Sequence, residues 1–292
     1  MKKCDVLVTG AAGFIGRYMC EYLARLGVSV VGLDKRDANL PCKFVRHDLT
    51  QPYVGKIKAD TCIHLASSVG GILYNNSSKA DMINYNALVN MGTVQLLKAG
   101  GCQRMVFFSS INVFENDLSF EHGPVCIYPS KTSYAISKAE GERVFIEAFK
   151  HVIVIRPTNV FGKRQIRCHE QFGESHVIPD LMKKIEDSNM VDVFGDGTQR
   201  RNFVHVQDIV EFVIKNININ GKHYFNLRSD LTISIGQLAR ILSTYMKRDV
   251  NFRFVPSFMA LETFQIQDFD LTIPVEYGWL PRFQSIVDGL AF

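Results

Sequence analysis

The stretch "VTGAAGFIGRY", Val8 to Tyr18, places Gly10, Gly13 and Gly16 between a short apolar run and an amphipathic one. No other feature narrows the possible folds as much. Glycine permits a tight turn and lets backbone come close to an anion, which the open N–H groups of the following helix then face. A lone glycine triplet is weak evidence, because a packing turn needs glycine too. Here "CDVLVTG" reads as a strand before the turn and "FIGRYMCEYLARLG" as a helix after it, stopping at Gly27. Strand, glycine turn, helix is the setting in which G-x-x-G-x-x-G reads as a dinucleotide fingerprint. Asp34 closes the next strand, "VSVVGLD", eighteen residues after Gly16. An acid there can bind both ribose hydroxyls of NAD and repel the extra phosphate of NADP. Lys35 and Arg36 follow directly and could accommodate a phosphate, so NADP stays open.

The pattern continues. "KFVRHD", "TCIHLAS", "RMVFFSS" and "HVIVIRP" are short and apolar, as buried strands are. Between them lie two helical stretches. In the first, Ile83, Ala87, Met91 and Val94 mark one face; the second is "TSYAISKAEGERVFIEAFK". Alternating strands and helices predict an α/β chain with a doubly wound parallel sheet of Rossmann type. After Pro157 the pattern loosens. "TNVFGKRQIRCHEQFGESHVIP" reads as one long irregular stretch, and loops of that length are often functional. A Gly-Asp-Gly turn, a strand and a helix follow within "VDVFGDGTQRRNFVHVQDIVEFVI", then a strand "HYFNL" and a helix "SIGQLARILSTYM". These predict a smaller second domain, with the chain crossing back at least once.

Composition excludes several roles. The chain has 292 residues and a net charge of +4, with its Lys and Arg dispersed. That is a poor footprint for nucleic acid, though it suits an anionic small molecule. No apolar stretch reaches the ~20 residues a membrane helix needs, and the start "MKKCDVLVTG", whose apolar run is broken early by a glycine turn, does not read as a signal peptide. Seven scattered cysteines without C-x-x-C pairs read as reduced thiols of a cytosolic protein, with no metal site expected.

Ser109 and Ser110 end the strand "RMVFFSS", at the sheet edge where ligands bind. Tyr134 and Lys138 follow on the next helix at the i, i+4 spacing that places them on one face. A free tyrosine, with pKa ~10, is a poor acid or base near neutrality. A lysine cation one turn away stabilises tyrosinate and corrects that. A serine hydroxyl can hold the same substrate oxygen for hydride transfer.

With these residues in place, the sequence resembles the extended short-chain dehydrogenase/reductases, in their NAD-dependent epimerase/dehydratase branch acting on nucleotide sugars. The likeness covers nearly the whole chain, through "TGAAGFIG", Asp34, "HDLT", "HLAS", "SSINVF", "YAISK", "RPTNVFG", "SHVIP" and "GDGTQRRNFVHVQD". It implies that Ser110, Tyr134 and Lys138 are the catalytic triad. It implies cofactor contacts at Gly10, Gly13, Phe14, Ile15, Gly16, Asp34, Asp48, Leu49, Leu65 and Ala66, with Asp48 at the adenine, and also at Tyr134 and Lys138. It implies sugar-nucleotide contacts at Asn112, Asn159, His176, Val177 and Arg201. Residues 1–160 with about 203–228 would form the NAD(P)-binding domain, and 161–202 with 229–292 the nucleotide-sugar-binding domain. A homodimer built on a four-helix bundle is implied as well. The ending "YGWLPRFQSIVDGL" resembles the usual family ending, so a whole chain is expected.

Members share hydride exchange, usually at sugar carbon 4, and differ in their later steps. Dehydratases carry an acid after the catalytic serine. Here the run is Ser110-Ile111-Asn112-Val113-Phe114, which argues against dehydration. "VGGILYNN", "RPTNVFG" and "SHVIP" resemble GDP-fucose synthase, whose double epimerisation uses a cysteine and a histidine. His176 matches the histidine, but Asn112 stands at the cysteine position, and a carboxamide does not move protons as a thiol does. The sequence therefore points first to a 4-keto-sugar reductase, second to a 4-epimerase with tightly held NAD, and third to a non-catalytic dinucleotide sensor. Two departures stand out: Glu115 replaces a usual glycine, and "RFVPSFMALETFQIQDFD" does not match the family's nucleotide-gripping pattern.

Overall fold

A computed structural model describes residues 2–55, 57–71, 74, 79–114, 132–165, 175–256 and 274–292. In chain order its first elements are β1 (Lys2–Thr9), α1 (Phe14–Arg25), β2 (Val30–Asp34), β3 (Lys43–Arg46), β4 (Ile57–His64), α2 (Lys79–Gly100) and β5 (Arg104–Phe108). A short 3₁₀ turn, Ile111–Phe114, then leads toward α3 (Ser133–Ala148), β6 (His151–Pro157) and β7 (Asn159–Phe161). The rest are α4 (Val177–Asp187), β8 (Met190–Phe194), β9 (Arg200–His205), α5 (Val206–Asn216), β10 (Lys222–Leu227), β11 (Thr232–Ser234), α6 (Ile235–Tyr245), β12 (Asn251–Val255) and α7 (Ile286–Ala291). Glu115 and the stretch 257–270, both compared with the family pattern above, lie outside the described residues.

Seven strands form one sheet in the order β10-β6-β5-β4-β1-β2-β3. Every pairing in it is parallel, as the alternating pattern predicts. Helices cover both faces, so the central strands read as continuous apolar runs. Successive side chains still alternate between the faces. Val6 and Val8 of β1, Val106 and Phe108 of β5, and Ile153 and Ile155 of β6 pack with α1, α5 and Trp279. Leu7, Met105, Phe107, Val152 and Val154 pack with α2 and α3 on the opposite face.

A third core gathers Ile178, Leu181 and Ile185 of α4, Val191 and Val193 of β8, and Leu238, Ala239 and Leu242 of α6. Around it lie a three-stranded sheet, β11-β9-β7, and a two-stranded one, β12-β8. One of these elements falls inside the stretch read as irregular, and another begins at its end. β7 begins two residues after Pro157, and α4 starts at Val177. Pro179 hid that helix. Proline is tolerated in a first turn, where the N–H groups have no intrahelical partner.

Helix α2 departs from its sequence reading. Ile83 is half-buried, and Ala87 and Met91 are exposed, with only Val94 of the predicted face buried. The helix buries Met82, Asn86, Val89, Asn90, Thr93 and Leu97 instead. Three of those are polar, so apolar periodicity selects the wrong side. Gly92 allows the close approach: a Cβ there would lie 1.9 Å from the Leu49 carbonyl oxygen. Among the described residues no helix is long and apolar enough to cross a membrane. Nor does any group of His, Cys, Asp or Glu there suit a metal ion, and the five described cysteines are free.

Candidate active site at the carboxyl ends of the strands

The chain runs outward from β1 through β2 to β3, then returns to pair β4 on the other side of β1. Ligands bind open parallel sheets at that reversal, outside the carboxyl ends of the strands. Gly10 leaves β1 here with φ +70°, a conformation that favours glycine. A Cβ on Gly10 would meet Ala66 N at 2.6 Å and Leu65 C at 2.7 Å, so the β1 turn lies directly on the chain leaving β4. A Cβ on Gly16 would lie 2.2 Å from Gly10 O. Gly13 caps α1 with no side-chain hydrogen bond, and no acid occupies the helix's first turn. That end is therefore electropositive and open, which fits a pyrophosphate. Phe14 and Ile15 are its first two, half-buried residues.

Asp34 ends β2 and is buried. Its Oδ2 accepts from Ala12 N at 3.1 Å, and its Oδ1 accepts from Arg36 N at 2.9 Å. The carboxylate thus faces the glycine turn, with Arg36 folded back on it through Nε at 3.4 Å. Lys35 donates instead to Tyr85 Oη at 2.9 Å. Asp48 orders the next loop, accepting from Thr50 N and Oγ1 at 3.0 and 2.9 Å. The neighbouring Leu49 is buried. These groups, glycine turn and acid together, fit a dinucleotide.

Thr132 caps α3, accepting from Ala135 N at 3.2 Å, and Tyr134 sits in the helix's first turn. Lys138 is one turn on, its Nζ 5.8 Å from the centroid of the Tyr134 ring. The ammonium donates to Phe108 O at 2.9 Å, at the end of β5 and two residues before Ser110. Burial pulls its pKa down to about 8. The structure separates the two serines. Ser109 Oγ turns inward and donates to Glu142 Oε1 at 2.5 Å. Ser110 Oγ accepts from Asn112 N at 3.3 Å, which ties Asn112 to the same turn.

The remaining predicted residues lie on β7, α4 and β9. Asn159 Nδ2 donates to Asn202 O at 2.9 Å, bracing β7 against β9. His176 precedes α4, where its carbonyl accepts from Asp180 N and its ring forms no cap. Val177 packs against the third core. Arg201 lies on β9 opposite Ile233, with Nη1 donating to Arg200 O at 2.8 Å. Burial lowers the Arg201 pKa to about 10, whereas Arg200 is exposed.

Sequence reasoning passes over two positions that the structure brings forward. Glu142 lies one turn beyond Lys138, at a spacing that was visible in "YAISKAEGE". Asn86 holds the chain after β4 from α2. Its Oδ1 accepts from Ser68 N at 2.6 Å, and its Nδ2 donates to Ser137 Oγ, within the Tyr134–Lys138 turn, at 3.1 Å.

A model of the NAD dependent epimerase/dehydratase family matches residues 6–227. The chain is 26% identical over 257 residues to GDP-L-fucose synthase of Sinorhizobium fredii, covering 81% of this chain and 78% of that one. It is 26% identical over 282 residues to dTDP-4-dehydro-6-deoxy-D-allose reductase of a Streptomyces species, covering 86% and 84%. The structure superposes on the UDP-glucose 4-epimerase of Thermus thermophilus, solved with NAD, with a TM-score of 0.76 at 20% identity. That match covers 98% of this chain and 97% of that one.

Proposed function

The chain belongs to the NAD dependent epimerase/dehydratase family, and we propose that it is an NAD-dependent 4-keto reductase of a nucleotide-diphosphate sugar. The observation that carries this is the buried Lys138 ammonium beside the Tyr134 ring, anchored on the strand end that leads into Ser110. Tyr134 gives its phenolic proton to the sugar oxygen as the ketone becomes an alcohol. Lys138 stabilises the tyrosinate left behind, and it stays cationic below about pH 8. Ser110 holds the same oxygen by hydrogen bond. When bound, NAD in its reduced form supplies the hydride. Gly10, Gly13, Phe14, Ile15 and Gly16 would hold its pyrophosphate, Asp34 its ribose, and Asp48, Leu49, Leu65 and Ala66 the flanking walls.

Arg201 suits the substrate diphosphate, because a partly desolvated guanidinium fork pairs strongly with phosphate oxygens. Asn112, Asn159, His176 and Val177 are assigned to the sugar and its neighbourhood. We assign residues 1–160 with about 203–228 to cofactor binding, 161–202 with 229–292 to the nucleotide sugar, and the working form to a homodimer.

The second reading, a 4-epimerase, draws on Asp34, which favours a retained NAD, and on the fold shared with the UDP-glucose 4-epimerase. Cofactor stoichiometry separates the two. A reductase consumes one NADH per sugar, whereas interconversion of two 4-epimers without added NADH sinks the reductase reading. Tyr134→Phe is expected to abolish turnover (a loss on the order of 10²-fold or more) while calorimetry still reports NAD binding. Undiminished turnover would overturn the assignment of Tyr134.

A further inference from the structure

A buried pair of charges lies beside Lys138, outside the chemistry described above. Glu142 accepts from Arg156 Nη2 at 2.6 Å and Nε at 2.9 Å, and from Ser109 Oγ at 2.5 Å. Both charged side chains are almost wholly buried, at 0% and 2% exposure. Three elements converge on this one carboxylate: the end of β5, helix α3 and strand β6. The Arg156 guanidinium lies over the rings of Phe114, 4.9 Å away, and Tyr224, 4.7 Å away.

A buried ion pair is weak evidence for stability, since well-packed apolar residues often serve as well. Its position suggests a different use. Lys138 meets the Phe107 ring at 5.5 Å, the Tyr134 ring and the Phe108 carbonyl, none of which carries a full negative charge in the resting state. Burial disfavours the ammonium, and the Glu142 carboxylate opposes that loss. From β4, His64 adds no charge near neutrality, because burial holds it neutral. From β10, Tyr224 faces the pair, its phenol pushed up by burial. Arg143 and Glu147, exposed on α3, are screened by solvent. A neutral Lys138 would not stabilise a tyrosinate. Ser109, anchored on Glu142, also sets the direction in which the chain enters Ser110.

We propose that Glu142, oriented by Arg156, is a positioning residue for hydride exchange: its carboxylate keeps Lys138 cationic and, through Ser109, fixes the approach of Ser110. The proposal deepens the Tyr134–Lys138 reading and rests on it.

The test follows the Lys138 charge directly, by ¹³C NMR of protein labelled at the lysine ε-carbon, with Lys138→Arg to assign the signal. The wild-type midpoint is expected at about 8. It should fall by roughly one unit or more in Glu142→Gln and stay in place in Glu142→Asp. Should Glu142→Gln not fold, the double variant Glu142→Gln/Arg156→Met removes both charges at similar volume and should show a smaller fall in the same direction, because the guanidinium that opposed the Lys138 ammonium is lost with the nearer carboxylate. In parallel, the acid limb of the pH profile for alcohol oxidation should move upward in the neutral variants only. A Lys138 midpoint unmoved in either folded neutral variant overturns the proposal. The midpoint requires no turnover, so its failure is distinct from survival of activity in Tyr134→Phe, which would overturn the catalytic reading.

Discussion

Gly16 has no room for a side chain. A Cβ there would lie 2.2 Å from Gly10 O and 2.8 Å from Ala11 Cα, both of them backbone atoms that cannot swing aside. Gly16→Ala is therefore expected to destabilise the protein by roughly 2–3 kcal/mol and to weaken NAD binding as the turn is pushed out. Urea unfolding with and without NAD reads both effects, and an unchanged midpoint would refute the steric argument. Residues of this kind are legible in a sequence, because glycine in a strand–turn–helix setting announces that something must come close. Asp34 is legible for the same reason, since its place at a strand end fixes its neighbours. Glu142 and Asn86 are not. What they do depends on Arg156 and Ser68, fourteen and eighteen residues away in the chain, and only the folded sheet brings those partners in.

Among elements, strands and helices of the large sheet follow from apolar runs and glycine stops, whereas the faces of a helix can mislead. In α2 the buried side uses Asn86, Asn90 and Thr93 for hydrogen bonds to Ser68, His64 and the Val89 carbonyl. Its outer side keeps Leu88 and Met91 at 56% and 49% exposure. An apolar pair on an open helix face suits the proposed homodimer. Leu88→Glu with Met91→Glu is expected to shift sedimentation from dimer to monomer without unfolding the chain. A wild-type protein already at monomer mass would reject that assignment. Strands β8, β11 and β12 escape sequence reading for a different reason. They are short, and their apolar positions become a core only once they pack on one another.

At the scale of the whole molecule, two buried histidines link folding to pH. Burial lowers His64 to about 3 and His205 to about 4, from an ordinary 6.5. His205 also uses both ring nitrogens, accepting from Gln207 N and hydrogen-bonding Gly289 O. Between those values and 6.5 the unfolded chain binds more protons than the folded one, so stability falls as pH falls. By pH 5 each histidine is expected to cost on the order of 2 kcal/mol. Urea titrations at pH 7 and pH 5 measure it, and equal stability at both would contradict the burial account. The sheet has a further consequence for how the chain is made. Its edge strand β10 comes from Lys222–Leu227, yet it pairs with β6, which ends at Pro157. A ribosome adding 5–20 residues per second leaves β6 waiting roughly 3–13 s for its partner. During that interval the nascent sheet presents an open parallel edge, the surface most prone to pairing with other chains.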